Sequence, residues 1–236
     1  MGKYLETFLQ YEMDSFEGDD LRLSLESVLT EEKAALELFK IQIQYCNKQI
    51  AEINSIVERC NHPTHGLMAK KRVFEEHKSI LNIAALIQQC SYETKGVQKI
   101  LYFEKGEASR ERIIVDVSIV IYEWCEDLLE MTGRKFQKLA AGLLNQSDLL
   151  NFRIARQRLK DFFDREKSLL SNVRHNVGAH RDHDFMTERN ILDKFDWVKS
   201  IELLSEFENL VLGMSPYVQA LIPAGLKQID QAFNKN

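Results

Sequence analysis

Proline and glycine are scarce in this chain: 3 and 10 residues, respectively, out of 236. Long intervals therefore pass without the residues that most often stop a helix. No run approaches the roughly 20 consecutive apolar residues of a membrane-spanning helix. The opening MGKYLETFLQYEMD has helix-spaced rather than continuous apolar residues, which does not fit an export signal, and Glu6 breaks the myristoylation pattern. The four cysteines, Cys46, Cys60, Cys90 and Cys125, contain no C-x-x-C pair and read as reduced, buried thiols of a cytoplasmic protein. Net charge is −5, which excludes wholesale coating of nucleic acid but permits a local basic patch. Histidine is missing from residue 78 to residue 174. That gap deprives a metal-dependent phosphohydrolase of the early ligand it needs.

What is present is helical periodicity. Apolar residues make up 44% and charged residues 28%, enough for one sizeable core. Gly18-Asp19-Asp20 is expected to separate a short first helix from a long second one, with an apolar face through Leu38, Ile41, Tyr45, Gln49, Ile53, Ile56 and Cys60. Asn61-His62-Pro63 ends it. Val73, Phe74, His77, Ile80, Leu81, Ala84 and Ile87 mark a third helix, antiparallel to the second. Gly96 and Gly106 bracket a short segment of undecided structure. The stretch from Ile113 to Met131 is rich in β-branched residues, but its unbroken length favours a helix.

Gly133 and Gly142 mark breaks, and Ser147 or Asp148 can cap the helix that follows. That helix carries Leu149, Phe152, Ala155, Leu159, Phe162, Phe163, Leu170, Val173 and Val177. Thr187 and Glu188 suit a further helix start, expected to run to about Gly213, with another beginning at Ser215-Pro216 and interrupted by Pro223. The expected architecture is all-α: an up-and-down bundle of roughly eight helices. Residues 1–106 form an N-terminal helical hairpin not clearly separate as a domain, and residues 107–236 a helical core with C-terminal helices.

Chemistry concentrates in residues 171–185, SNVRHNVGAHRDHDF, which hold three of the six histidines. On one straight helix Arg174 and His180 would project about 240° apart. Gly178 offers a break after which they can converge. The string RHNVGAHRD, residues 174–182, resembles the motif of the HEPN superfamily of helical proteins: an arginine, a polar residue, a spacer and a histidine. It is particularly similar to abortive-infection-type members, and the resemblance covers at best residues 107–214.

That resemblance implies a metal-independent endoribonuclease of toxin or phage-defence type, without cofactor, acting as a homodimer whose two motifs face one phosphate. A nucleotidyltransferase-type antitoxin is an implied partner alongside RNA. The carried-over roles make His180 the acid/base, Arg174 the phosphate clamp, and His175 the orienting residue or second proton carrier. Asn176, Arg181 and Asp182 are supporting positions, although Arg181, Asp182, His183 and Asp184 also read as a surface ion-pair cluster. The residue types suit this chemistry, since histidine titrates near neutral pH and arginine forks onto phosphate oxygens while keeping its charge.

Residues 151–181 add eight basic side chains against three acids, a local +5 that leaves −10 on the remainder. Arg153, Arg156, Lys160 and Lys167 share one side of the helix, either as a track for RNA backbone or as an ordinary solvated flank. Two rivals stand beside the nuclease. One is a non-catalytic RNA-binding or protein-interaction module of the same fold. The other is an HD-type metal-dependent phosphohydrolase built on His183-Asp184. Cys60, His62 and His65 resemble part of a zinc knuckle but read more naturally as a polar turn.

Overall fold

In the computed structural model, the described residues are 16–60, 65–104, 106–175, 191 and 195–234. They form six helices and no strand: α1 (Phe16–Arg59), α2 (His65–Phe103), α3 (Glu107–Met131), α4 (Arg134–Ala141), α5 (Gln146–Val173) and α6 (Trp197–Asn234). The fold is all-α. None of these helices is long and apolar enough to cross a membrane. The expected first helix within residues 1–14 and the start at Thr187 and Glu188 lie outside the described residues.

Cross-helix contacts fix the topology. Glu26 meets Lys99 and Glu32 meets Lys95, so α1 and α2 run antiparallel. Trp124 on α3 donates its indole N–H to Glu93 on α2, at 2.8 Å. Arg156 on α5 reaches back to Leu129 on α3, and the Phe162 and Phe207 rings of α5 and α6 approach to 6.2 Å between centroids. Trp197 closes the circuit by donating to the Leu101 carbonyl, so α6 runs antiparallel to α2. The result is an up-and-down bundle. One apolar core takes Leu25 from α1 and residues from α2 (Ile80 to Tyr102), α3, α4, α5 and α6, and so spans both sides of residue 106.

At 44 residues, α1 is about 66 Å long and outreaches the bundle. Its tip forms a thin arm with the start of α2 and the end of α6, around Cys46, Ile53, Phe74 and Leu81. The seam on α1 is Phe39, Ile43, Cys46, Ile50, Ile53 and Val57, an alternating four-three spacing typical of coiled-coil packing. The anticipated face was different: Leu38, Ile41, Tyr45, Ile56 and Cys60 are exposed, and of that set Ile53 alone is buried. Two apolar stripes coexist on α1, and only the partner decides which is covered. On α2 the expected Phe74, His77, Ile80, Leu81, Ala84 and Ile87 are buried, and Val73 is half-buried.

Four boundaries also differ from expectation. Gly18-Asp19-Asp20 sits within the first turns of α1 rather than between helices, and α2 runs through Gly96. The cap of α5 is Asn145: its side-chain oxygen accepts from the Asp148 backbone N–H at 2.9 Å, and its amide donates to the Asp148 carboxylate. Finally, α6 continues through Pro216 and Pro223. Each proline removes one backbone bond, yet both lie on the exposed side where water can serve the freed carbonyl. The opposite side, Val211, Met214, Val218, Leu221 and Gly225, is buried and holds the helix together across both breaks.

Candidate functional site at the end of helix α5

The site is built on the last turns of α5, which its apolar side anchors. Phe152, Leu159, Phe162, Phe163, Leu170 and Val173 are all buried. Arg174 follows directly, its backbone N–H shared between the Leu170 and Ser171 carbonyls, and residues 174–175 widen into a π-type turn. Such turns are frequent at functional positions.

The Arg174 side chain lies across α3. Its guanidinium sits 5.0 Å from the centroid of the Tyr122 ring, and Nη2 donates to Glu123 Oε1 at 3.2 Å. The ring beneath it is fixed by an edge-on contact with Phe163, 5.3 Å between centroids. The Tyr122 phenol is pushed above its ordinary pKa, first by burial and then by its hydrogen bond to Glu126, against the opposing charge of Arg174. One turn pair earlier, Lys167 pairs with Glu126 at 3.7 Å and lies 4.9 Å from the Phe163 centroid. His175 points its Nδ1 at the Ser171 carbonyl, 2.8 Å away, with the Ser171 hydroxyl at 3.1 Å. If that nitrogen carries the proton, Nε2 is the free acceptor.

Of the residues singled out above, Arg174 and His175 are thus placed. Asn176, His180, Arg181 and Asp182 lie outside the described residues, as do His183, Asp184 and His62. Arg153, Lys160, Lys167 and Arg174 recur every seventh position along α5, about 10 Å apart. Arg153 is exposed, and Lys160 pairs with Asp164 on its own helix. Arg156 is half-buried and engaged, donating to the Leu129 carbonyl at 2.8 Å and to the Thr132 hydroxyl at 3.2 Å. That arginine fastens α5 to the end of α3.

Tyr122, Glu123 and Glu126 are contributors that sequence reasoning passed over. Their signal is the segment IYEWCED, whose positions 122, 123 and 126 share one helical side. Among the described residues no group of three His, Cys, Asp or Glu side chains converges as metal ligands would. Cys46, Cys90 and Cys125 are buried, whereas Cys60 is exposed, contrary to the expectation of four buried thiols. A separate cleft of about 500 Å³ opens between α2 and α4, lined by Arg72, Glu76, Lys135, Lys138 and Leu139 among others. No protein-family model, curated protein or solved structure matches this chain.

Proposed function

We propose that this protein is a metal-independent endoribonuclease of the HEPN type, cutting RNA at a composite site formed by two copies of the chain in the cytoplasm. The observation that carries the reading is Arg174. A guanidinium at the end of a firmly packed helix, stacked on a tyrosine and one residue from an available imidazole, is suited to gripping a phosphate.

In the proposed reaction a histidine removes the proton of a ribose 2′-hydroxyl. The 2′-oxygen then bonds to phosphorus, the bond to the 5′-oxygen breaks, and a second protonated imidazole supplies the proton that oxygen needs. Arg174 holds the phosphoryl oxygens as negative charge builds on them. His180 and His175 are the candidate proton carriers, with Asn176, Arg181 and Asp182 supporting them. One chain supplies few such groups, and a homodimer doubles them. A toxin or defence role, with a nucleotidyltransferase-type antitoxin, rests on the resemblance alone.

The experiment is cleavage of mixed RNA and DNA by purified protein in EDTA, alongside Arg174→Ala and His180→Ala. Cleavage of RNA only, surviving EDTA and lost in both variants, is the expected result. RNA breakdown that persists in both variants rejects the site, and dependence on a divalent ion points instead to the phosphohydrolase.

A second reading has an observation of its own. Lys160, Lys167 and Arg174 each pair with a carboxylate, and Arg156 is spent on α3, so much of the basic side of α5 is neutralised internally. The three carboxylate pairs, rather than the neutral partners of Arg156, favour a non-catalytic helical module. A folded protein that binds RNA or a protein partner without cutting RNA supports it.

A further inference from the structure

We infer that Glu123 is a built-in competitor for RNA at Arg174: its carboxylate holds the guanidinium in the free protein and gives it up to a backbone phosphate. This rests on reading Arg174 as the phosphate clamp, and it adds a residue that sets how strongly that clamp engages.

The geometry separates two jobs that a single ion pair would otherwise combine. Tyr122 orients the guanidinium from below, with Phe163 bracing the ring, so Arg174 keeps its direction whether or not a carboxylate is attached. Glu123 contributes one bond, at 3.2 Å, from a side chain that is half exposed. Carboxylate and phosphate offer a guanidinium the same paired-oxygen geometry, so they compete for the same N–H groups. On exchange the Glu123 carboxylate swings into water, and no charge is stranded. Exposed pairs of this kind are weak, which makes them displaceable.

Two other pairs are built differently. Glu126 pairs with Lys167, a compact ammonium rather than a planar fork, at 3.7 Å. Lys95, between Glu32 and the half-buried Glu208, is buried together with Glu32, and removing either member of that pair leaves a charge with little access to water. Glu123 thus joins an exposed carboxylate to a pre-aimed guanidinium. By holding Arg174 in an occupied state, it lowers apparent RNA affinity by the fraction of time the clamp is taken.

The test is a double-mutant cycle on the full chain, read by fluorescence anisotropy with a mixed-sequence 20-mer of 2′-O-methyl RNA. That RNA lacks the attacking hydroxyl and is not cut, so binding is measured apart from cleavage. Glu123→Gln keeps shape and removes charge. In the otherwise unchanged protein it is expected to tighten binding about two- to fivefold, the range of an exposed pair. In an Arg174→Ala background the same change is expected to do nothing.

Equal tightening in both backgrounds would mean a simple change of net charge and overturns the inference. So does no tightening, or no RNA binding by any of the four proteins. The outcomes also separate the two readings. A protein that shows the coupling yet never cuts RNA keeps Glu123 as competitor and loses the nuclease. One that cuts RNA through Arg174 without the coupling keeps the nuclease and loses Glu123.

Discussion

Helices α1 and α5 are both long and amphipathic, yet the structure attaches them by different means. The 28 residues of α5 bury Phe152, Leu159, Phe162, Phe163, Leu170 and Val173. Among its described side chains, the 44-residue α1 buries only Leu25, Cys46 and Ile53 of the apolar ones, together with the charged Glu32. A helix seated by aromatic rings can aim a side chain at its end, as α5 does with Arg174. A helix seated by a narrow seam and a buried ion pair is a peripheral support. The candidate site belongs on α5 for that reason.

The comparison breaks most visibly in the α5 core. Phe162 is 1% exposed and packs on Phe207 and beneath the Arg165 guanidinium. Phe162→Ala should cost about 3–5 kcal/mol, measured by urea denaturation, because a ring-sized cavity opens in the central core. A loss below about 1 kcal/mol would show that α5 is not anchored as described.

On α1 the counterpart is Lys95. Its ammonium donates to Glu32 at 2.8 Å and pairs with Glu208 at 3.1 Å, tying α1, α2 and α6 together. Burial alone would lower its pKa, but those bonds outweigh burial and the net shift is upward. Lys95→Met strands two carboxylates and should cost about 3 kcal/mol. The difference from Phe162 lies in where the damage falls: hydrogen exchange should speed up in α1 while α5 stays protected. Uniform loss of protection would erase the distinction between the two helices.

A smaller effect follows from His77 on α2, buried in the arm with Nδ1 lacking a hydrogen-bond partner among the described residues. Gly225 of α6 leaves it room: a Cβ there would come within 2.5 Å of Nδ1. Burial lowers the imidazole below its ordinary value of 6.5. The unfolded chain therefore takes up a proton before the folded one does, and stability falls as pH drops below about 6.5. Thermal melts at pH 7.5 and 5.5 should show the native chain losing more than His77→Gln over that interval. Parallel losses would remove His77 as a source of acid sensitivity in the arm.

How much of this was legible in the sequence depended on what each residue must touch. Length and period revealed α2, α3 and α5, because apolar residues recur there with only one wide stripe to bury. On α1 two stripes compete, and nothing local distinguishes Leu38 from Phe39. Pro216 and Pro223 read as helix ends because sequence shows the lost N–H but not the packed opposite side that compensates. At the site, Arg174 and His175 stood out through clustering. Tyr122 and Glu123 lie some fifty residues earlier, and only the antiparallel pairing of α3 with α5 brings them there.

The unpicked stripe on α1 supplies the smallest expected effect. Leu38, Ile41 and Tyr45 are 61%, 59% and 58% exposed, against 2% for Cys46 and 7% for Ile53 on the seam. If the seam carries the attachment of α1, Leu38→Ser with Ile41→Ser should change stability by no more than about 0.5 kcal/mol, because more than half of each side chain stays in water on folding. Ile53→Ser buries a hydroxyl and opens a gap, so it should cost several times as much. Urea midpoints of the two proteins decide the matter. A double variant as damaging as Ile53→Ser would mean that Leu38 and Ile41 are covered in the folded protein, and the contrast between a seated α5 and a lightly held α1 would fail.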